Sequence, residues 1–263
     1  MAGLETCIEV PQLKLLLDLG SCSRTAVNQS VVLLSHGHLD HMGAVAQHAA
    51  RRSLLGMSEA TYVVPRRIAS QVEDLFNAAG RLDGQAIARR VVALEPGEEH
   101  ALGKGRVVRA FETYHRVPSQ GYTVWETRSR LLPEFRDLPG IELGKLRRSG
   151  AVLDARYQAA LLSFTGDTRV DVLERSADLA HSECLVIECS FLDELIPTPR
   201  AREMGHIHLD ELIARADLLS QPDIVLSHFS ARYDTTDVAR LLQRKLPDQL
   251  QERVRILTGP TSV

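Results

Sequence analysis

Residues 35–41 read Ser35-His36-Gly37-His38-Leu39-Asp40-His41, which places three imidazoles and a carboxylate within a single short loop. Neutral imidazole nitrogens and carboxylate oxygens are ligands for Zn²⁺, and Mn²⁺ or Fe²⁺ accept the same donors. His36 and His38 stand two apart, so in an extended segment both rings face one side. Asp40 and His41 come next, as the chain turns into the helical pattern that follows Gly43, and can face a second ion. The chemistry such a loop could serve is hydrolysis. Two metals ~3.5–4 Å apart lower the pKa of a water and clamp both the attacking and the leaving oxygen.

That loop has to be held by something rigid. The apolar run Val31–Ser35 before it reads as a buried strand, as do Leu13–Asp18, Thr61–Val64, Val107–Phe111, Leu161–Phe164, Leu185–Glu188, Ile224–Ser227 and Val254–Leu257. Helical spacing is expected over Gly43–Ser53, Ile68–Ala79, Leu209–Leu219 and Thr235–Lys245, the last with Thr235 and Thr236 as caps. Strands interleaved with helices along the whole length predict one layered α/β domain over residues 1–263. In such a domain, loops leaving the same ends of the strands converge on one crevice. Three further strands run out into ligand-bearing loops: Tyr114-His115-Arg116, Thr165-Gly166-Asp167-Thr168 and Ser227-His228-Phe229. Counted together, His36, His38 and His115 can hold one zinc and Asp40, His41 and His228 the other. Asp167, with two oxygens, can bridge them.

Composition narrows the class. The chain has 263 residues, 44% hydrophobic and 25% charged, with a net charge of −3, so it is not coated with base for general nucleic-acid binding. No apolar run approaches the ~20 residues that span a bilayer, and Met1–Val10 lacks the pattern of a signal peptide, so a cytoplasmic enzyme without membrane contact is expected. Cys7, Cys22, Cys184 and Cys189 form no Cys-x-x-Cys pair and read as free, mostly buried thiols. Residues 127–158 stand apart as a net basic excursion carrying Arg128, Arg130, Arg136, Lys145, Arg147, Arg148 and Arg156. It reads as an irregular surface segment that could contact phosphates. Arg51, Arg52, Arg66, Arg67, Arg89 and Arg90 read as solvated helix faces, and His48, His100 and His181 as structural.

The order His-x-His-x-Asp-His, later His, Gly-Asp-Thr, final His resembles the metallo-β-lactamase fold. The resemblance runs over residues 13 to 257. It implies an αββα sandwich with a dinuclear metal site at the sheet edges. The stretches His115-Arg116-Val117-Pro118-Ser119-Gln120-Gly121-Tyr122 and His228-Phe229-Ser230-Ala231-Arg232-Tyr233 resemble ribonuclease Z, the endonuclease that removes 3′ trailers from precursor tRNA. Leu4-Glu5-Thr6-Cys7-Ile8, residues 14–20 and Gly205-His206-Ile207-His208 are most similar to its short form found in plants. By position, the resemblance implies that Glu188 and His206 form the pair that protonates the leaving oxygen, with His208 the rival for that role. The family's His-Glu-Ala-Thr run reads Ile187-Glu188-Cys189-Ser190 here, and the family's long tRNA-gripping arm is represented only by the shorter residues 127–158.

The expected mechanism is attack by a bridging hydroxide on phosphorus, with Asp40 orienting the nucleophile and accepting its proton, and His206, held by Glu188, donating one to the departing oxygen. Ser119, Tyr122, Ser230, Arg232 and Tyr233 are expected to hold phosphate oxygens or the terminal base. Two Zn²⁺ per chain, precursor tRNA as substrate and a homodimer complete the expectation. A small-molecule hydrolase of the same fold, acting on a phosphodiester or thioester, is the alternative. A metal-stabilised RNA-binding protein without turnover is a third reading, disfavoured by the complete ligand set.

Overall fold

The computed structural model describes residues 2–258. A first sheet is built from β1 (Ile8–Val10), β2 (Leu15–Leu17), β3 (Val31–Leu33), β4 (Ala60–Pro65) and β5 (Arg89–Leu94), hydrogen-bonded in that order. β1 and β2 are antiparallel, and β2 to β5 run parallel. The second sheet contains β6 (Glu99–Gly103), β7 (Arg106–Glu112), β8 (Gln120–Leu131), β9 (Asp154–Phe164), β10 (Cys184–Glu188), β11 (Asp223–Ser227) and β12 (Val254–Ile256). Its spatial order is β12-β11-β10-β9-β8-β7-β6, antiparallel from β6 to β9 and parallel from β9 to β12.

The pleat sorts the apolar strands into three cores. Leu15, Leu17, Leu33 and Val63 point between the sheets and pack with Val108, Tyr122, Val124, Leu162, Phe164 and Val186. Leu16, Val32, Leu34, Tyr62 and Val64 point the opposite way. They lie under α1 (Leu39–Met42), α2 (Val45–Leu54) and α3 (Ala69–Asp83), whose Met42, Val45, Ala49, Val72 and Phe76 complete that layer. This is why the strands read as unbroken apolar runs: both faces are covered. Burying one leucine contributes about 1.5–3 kcal/mol, so a polar residue on either face of β2 would cost the fold heavily.

Past Glu126 and Ala159, β8 and β9 pair on from Thr127↔Gln158 to Leu131↔Asp154, while β7 ends its pairing with β8 at Arg106↔Glu126. The result is a projecting two-stranded ribbon whose tip carries α4 (Gly140–Arg148). The segment expected to be irregular is therefore regular. Its strands carry polar residues on both faces because solvent lies on both sides, which removes the apolar alternation that marks a half-buried strand. On the outer face of the second sheet lie α5 (Val172–Arg175), α6 (Thr198–Met204), α7 (Leu209–Ile213), α8 (Thr235–Lys245) and α9 (Asp248–Gln251). They bury Val172, Leu209, Leu212, Val238, Leu242 and Leu250 over Leu185, Ile187, Ile224 and Leu226. The layers are thus helices, sheet, sheet, helices. The helix expected over Leu209–Leu219 stops at Ile213, where Arg215 bonds back three residues to Leu212, and resumes as a 3₁₀ turn over Ala216–Leu218. Among the described residues no helix is long and apolar enough to cross a membrane.

Candidate metal centre

All the ligand-bearing loops leave C-terminal strand ends. Asp18 follows β2, residues 35–41 follow β3, His115 follows β7, Asp167 follows β9, Glu188 ends β10 and His228 follows β11. Parallel strands expose their C-terminal ends along one edge, so six distant segments meet there. Close approach requires glycine at two points. Gly166 has φ +58, and a Cβ there would sit 2.3 Å from Cβ of Ser35. Gly205 has φ +81, and its Cβ would lie 2.8 Å from Nδ1 of His115.

The structure brings the candidate ligands together in overlapping groups. His36, His38, His115 and Asp167 each offer an atom within 4.8 Å of the others. The same holds for Asp40, His41 and His228, for Asp18, His36 and His41, and for Asp167, Glu188, His206 and His228. Asp167 reaches both: Oδ2 lies 3.7 Å from His36 Nε2 and 3.4 Å from His41 Nε2, and Oδ1 lies 3.3 Å from His228 Nε2. Asp40 Oδ2 is 3.4 Å from His41 Nε2 and 3.7 Å from His228 Nε2.

The hydrogen bonds behind the rings determine which nitrogens face inward. Asp18 accepts from His41 Nδ1 at 2.6 Å and from Ser35 Oγ at 2.8 Å. The Ser35 proton is therefore spent, and Oγ must accept from His36 Nδ1 at 2.9 Å. His115 Nδ1 donates to the Gly205 carbonyl at 2.9 Å. In the same way, the Ser190 hydroxyl donates to Glu188 at 2.6 Å and accepts from His228 Nδ1 at 3.1 Å. The Nδ1 atoms of four rings are thus tied to outer partners and their Nε2 atoms face the interior, the arrangement that outer hydrogen bonds impose on metal-ligating histidines. His41 and His228 Nε2 lie only 3.1 Å apart, an approach that requires a proton or a metal cation between the two nitrogens. Oδ1 of Asp167 is buried with no hydrogen-bond partner, a further sign of a cation's place. The donor set fits divalent metal ions.

The sequence adds the deciding comparison. A family model described as a β-lactamase superfamily domain matches residues 20–229. The chain is 36% identical over 260 residues to tRNase Z TRZ1 of Arabidopsis thaliana, covering 98% of this chain and 92% of that one. It is 32% identical to the chloroplastic tRNase Z TRZ2 of the same plant, covering 98% and 73%. The chain belongs to the tRNase Z family. This is a family of metal-dependent hydrolases within the β-lactamase superfamily. The fold also matches the human short-form tRNase Z with a TM-score of 0.59 at 17% identity, over 97% of this chain and 92% of that one. The metallo-β-lactamase fold protein YhfI of Bacillus subtilis matches with a TM-score of 0.60 at 14% identity, over 94% and 85%.

In this tRNase Z-family chain the electrostatics suit neutral ligands around a cation. Burial pushes the pKa values of His36, His38 and His115 down, keeping the rings in the ligating form. Burial acts in the same sense on His41, but the charges of Asp167 and Asp18 overcome it and raise that ring to about 12. The carboxylates therefore create a strong demand for positive charge. For buried Asp167, desolvation favours the neutral acid, yet His228 and His41 hold its pKa well below the usual carboxylate range.

Glu188 and His206 sit beside this centre. His206 Nδ1 lies 2.9 Å from Glu188 Oε1, and its ring stacks on His228 at 5.5 Å between centroids. Burial works against a proton on His206, while Glu188 and Asp167 raise its pKa to about 9. Glu188 takes Thr168 N–H and His206 on Oε1, and Ser190 Oγ and Ile207 N–H on Oε2, which leaves it saturated and unsuited to ligate an ion. His208 is excluded from the rival role. It caps α7, accepting from Asp210 N–H at Nδ1 and donating from Nε2 to the Asp193 carbonyl.

The candidate substrate residues divide. Arg232 is exposed beside half-buried Ser230, with its guanidinium 5.7 Å from the Phe191 ring. Ser119 bridges to His36 and shares a hydrogen bond with Thr113 at 2.7 Å. Tyr122 and Tyr233 are not brought to the site surface. Tyr122 is 1% exposed, its hydroxyl donating to the Leu34 carbonyl, and Tyr233 is 4% exposed, accepting from Leu192 N–H. Of the arginine pairs, Arg66, Arg67 and Arg90 are exposed to solvent as expected, although Arg89 and Arg90 lie on β5 and not on a helix. Arg52 is buried on the Val27, Gln29 and Ser58 carbonyls, and Arg66, Arg89 and Arg90 pair with Glu98, Glu73 and Glu59. Of the free thiols only Cys189 is fully buried.

Sequence reasoning missed Asp18, Ser35, Ser190, the Gly205 carbonyl and the Gly3 amide, which donates to Asp40 Oδ2 at 2.8 Å. Asp18 did carry a signal, as a carboxylate at the end of a wholly apolar strand.

Proposed function

We propose that this chain is a zinc-dependent endoribonuclease that removes 3′ trailers from precursor tRNA. The observation that carries the reading is the two ligand groups between which Asp167 reaches, with the Glu188–His206 pair adjoining them at one sheet edge. It is supported by the 36% identity to a tRNase Z over 98% of the chain. His36, His38 and His115 would hold one Zn²⁺ and Asp40, His41 and His228 the other, with Asp167 between. When bound, two such ions would lower the pKa of a water and neutralise charge developing on the phosphate oxygens.

The chain's own groups supply the rest. Asp40, fixed by the Gly3 N–H at 2.8 Å, orients the attacking water and accepts its proton. His206 keeps Nδ1–H on Glu188, so Nε2 is the atom that holds a proton and delivers it to the departing 3′ oxygen. Arg232 and Ser230, just beyond His228, hold phosphate oxygens of the RNA. At the ribbon tip Arg136, Lys145 and Arg148 are exposed, and no ion pair engages them among the described residues, which suits contact with tRNA phosphates away from the scissile bond. Two copies of the chain are proposed to pair.

Precursor tRNA bearing a 3′ trailer, bis-p-nitrophenyl phosphate and a glutathione thioester, each assayed with and without chelator, test the reading. Trailer release that stops with chelator is expected. Hydrolysis of the small phosphodiester or thioester with precursor tRNA untouched would replace it with a small-molecule hydrolase.

A further inference from the structure

Ser190 links the Glu188–His206 pair to the His228 ligand by hydrogen bonds. It is 1% exposed, and its hydroxyl lies 2.6 Å from Glu188 Oε2, 3.0 Å from the His228 carbonyl and 3.1 Å from His228 Nδ1. A hydroxyl has one proton to give. The carboxylate is the strongest of the three acceptors because the bond to it is charge-assisted. With the proton committed there, Oγ offers His228 only lone pairs. His228 must then carry its hydrogen on Nδ1, leaving Nε2 bare among Asp167 Oδ1 at 3.3 Å, Asp40 Oδ2 at 3.7 Å and His41 Nε2 at 3.1 Å. The backbone holds His228 in place for this. Its φ is +58, a left-handed conformation that a non-glycine residue seldom adopts. The Cys189 N–H to Ser227 carbonyl and Ser230 N–H to Ser190 carbonyl bonds, at 2.9 and 3.0 Å, secure the turn.

We infer that Glu188, acting through the Ser190 hydroxyl, sets the tautomer of His228 and so keeps its inward nitrogen free to bind metal. Ser190 is a positioning residue, and Glu188 serves both the proton donor and the metal group. The step rests on the reading of His228 as a ligand. It also gives the departure Ile187-Glu188-Cys189-Ser190 a physical content: a hydroxyl is needed two residues after the glutamate, where threonine would also supply one.

Zn²⁺ alone, titrated against a chromophoric chelator, tests this on the full-length chain. Ser190→Ala is expected to weaken binding ~10–100-fold, and Ser190→Thr to restore it to about wild type. Glu188→Gln keeps its oxygen toward Thr168 N–H and His206, the shorter N–H bonds at 2.8 and 2.9 Å, and turns its NH₂ toward Ser190, giving up the 3.2 Å bond from Ile207 N–H. The Ser190 proton then swings to His228 Nδ1, and binding weakens by a similar factor although no ligand has changed. The double variant should bind no more weakly than Glu188→Gln, since both act along one path. Nitrogen-15 spectra of the metal-free protein with labelled histidine read the tautomer directly: His228 is Nδ1–H in wild type and Nε2–H in Glu188→Gln. An unchanged tautomer in Glu188→Gln, wild-type affinity in Ser190→Ala, failure of Ser190→Thr or additive losses would each overturn the inference. A wild-type chain that binds no Zn²⁺ would instead overturn the metal reading, and the spectra would still judge the tautomer.

Discussion

Asp18 offers the sharpest perturbation outside the ligands. It is 0% exposed and accepts from Ser35 N–H at 2.7 Å, Ser35 Oγ at 2.8 Å and His41 Nδ1 at 2.6 Å. Asp18→Asn keeps the shape but replaces one acceptor oxygen with NH₂. With the remaining oxygen on the Ser35 N–H, the amide group faces His41 Nδ1 and can only donate. The neutral His41 ring, the form that ligates, must then carry its proton on Nε2, the atom 3.4 Å from Asp167 Oδ2 and aimed at the metal position. Binding a cation there requires reversing that tautomer at the loss of one hydrogen bond of the kind made to charged groups, about 1.5–3 kcal/mol. That corresponds to ~10–100-fold in metal affinity, the range seen for outer partners of metal ligands. Competition with a chromophoric chelator reads the affinity, and a thermal melt with and without Zn²⁺ confirms that the variant folds. Asp18→Asn that folds, binds Zn²⁺ as tightly as wild type and turns over normally would refute the argument that Asp18 fixes the ring.

His206→Ala should keep its metal and lose ~10²–10⁴ in turnover, whereas Asp167→Ala should lose metal content itself; metal analysis beside a cleavage assay separates the two. Replacing residues 134–152 with a short turn should raise KM for precursor tRNA while leaving hydrolysis of bis-p-nitrophenyl phosphate unchanged, because the tip lies outside the site. Burial, aided by the Arg52 charge, lowers the pKa of His48 from 6.5 to about 4. The unfolded chain therefore binds the extra proton between those values, so stability is complete above pH 6.5 and falls as pH drops, by up to about 3 kcal/mol at pH 4. His48→Gln can still bond Tyr62 and Ala26 as His48 does, and should show a shallower loss across that window in denaturant titrations.

What the sequence determined by itself is local. The spacing of His36 and His38, the carboxylate and imidazole that follow, and the unbroken apolar runs of β2, β3, β10 and β11 depend only on residue type and short-range geometry. They suffice to predict an α/β layering and the residue types that meet at one edge. β1, β5, β6 and the outer half of β8 were not legible, since they are short or carry exposed and charged residues that mask a strand's pattern, and α4 and α6 are too short to show a period. The tertiary structure alone decided the state of each ring. His206 and His208 are equivalent in the sequence, two residues apart in one loop. One meets Glu188, 18 residues away, and the other is consumed in capping α7. The Gly205 carbonyl that orients His115 comes from 90 residues along the chain, and Asp18 reaches His41 across 23. Tyr122 and Tyr233, placed by sequence beside the ligands, turn into the core because their side chains follow the buried face of the backbone. Proton positions depend on partners assembled in space, and no local pattern encodes them.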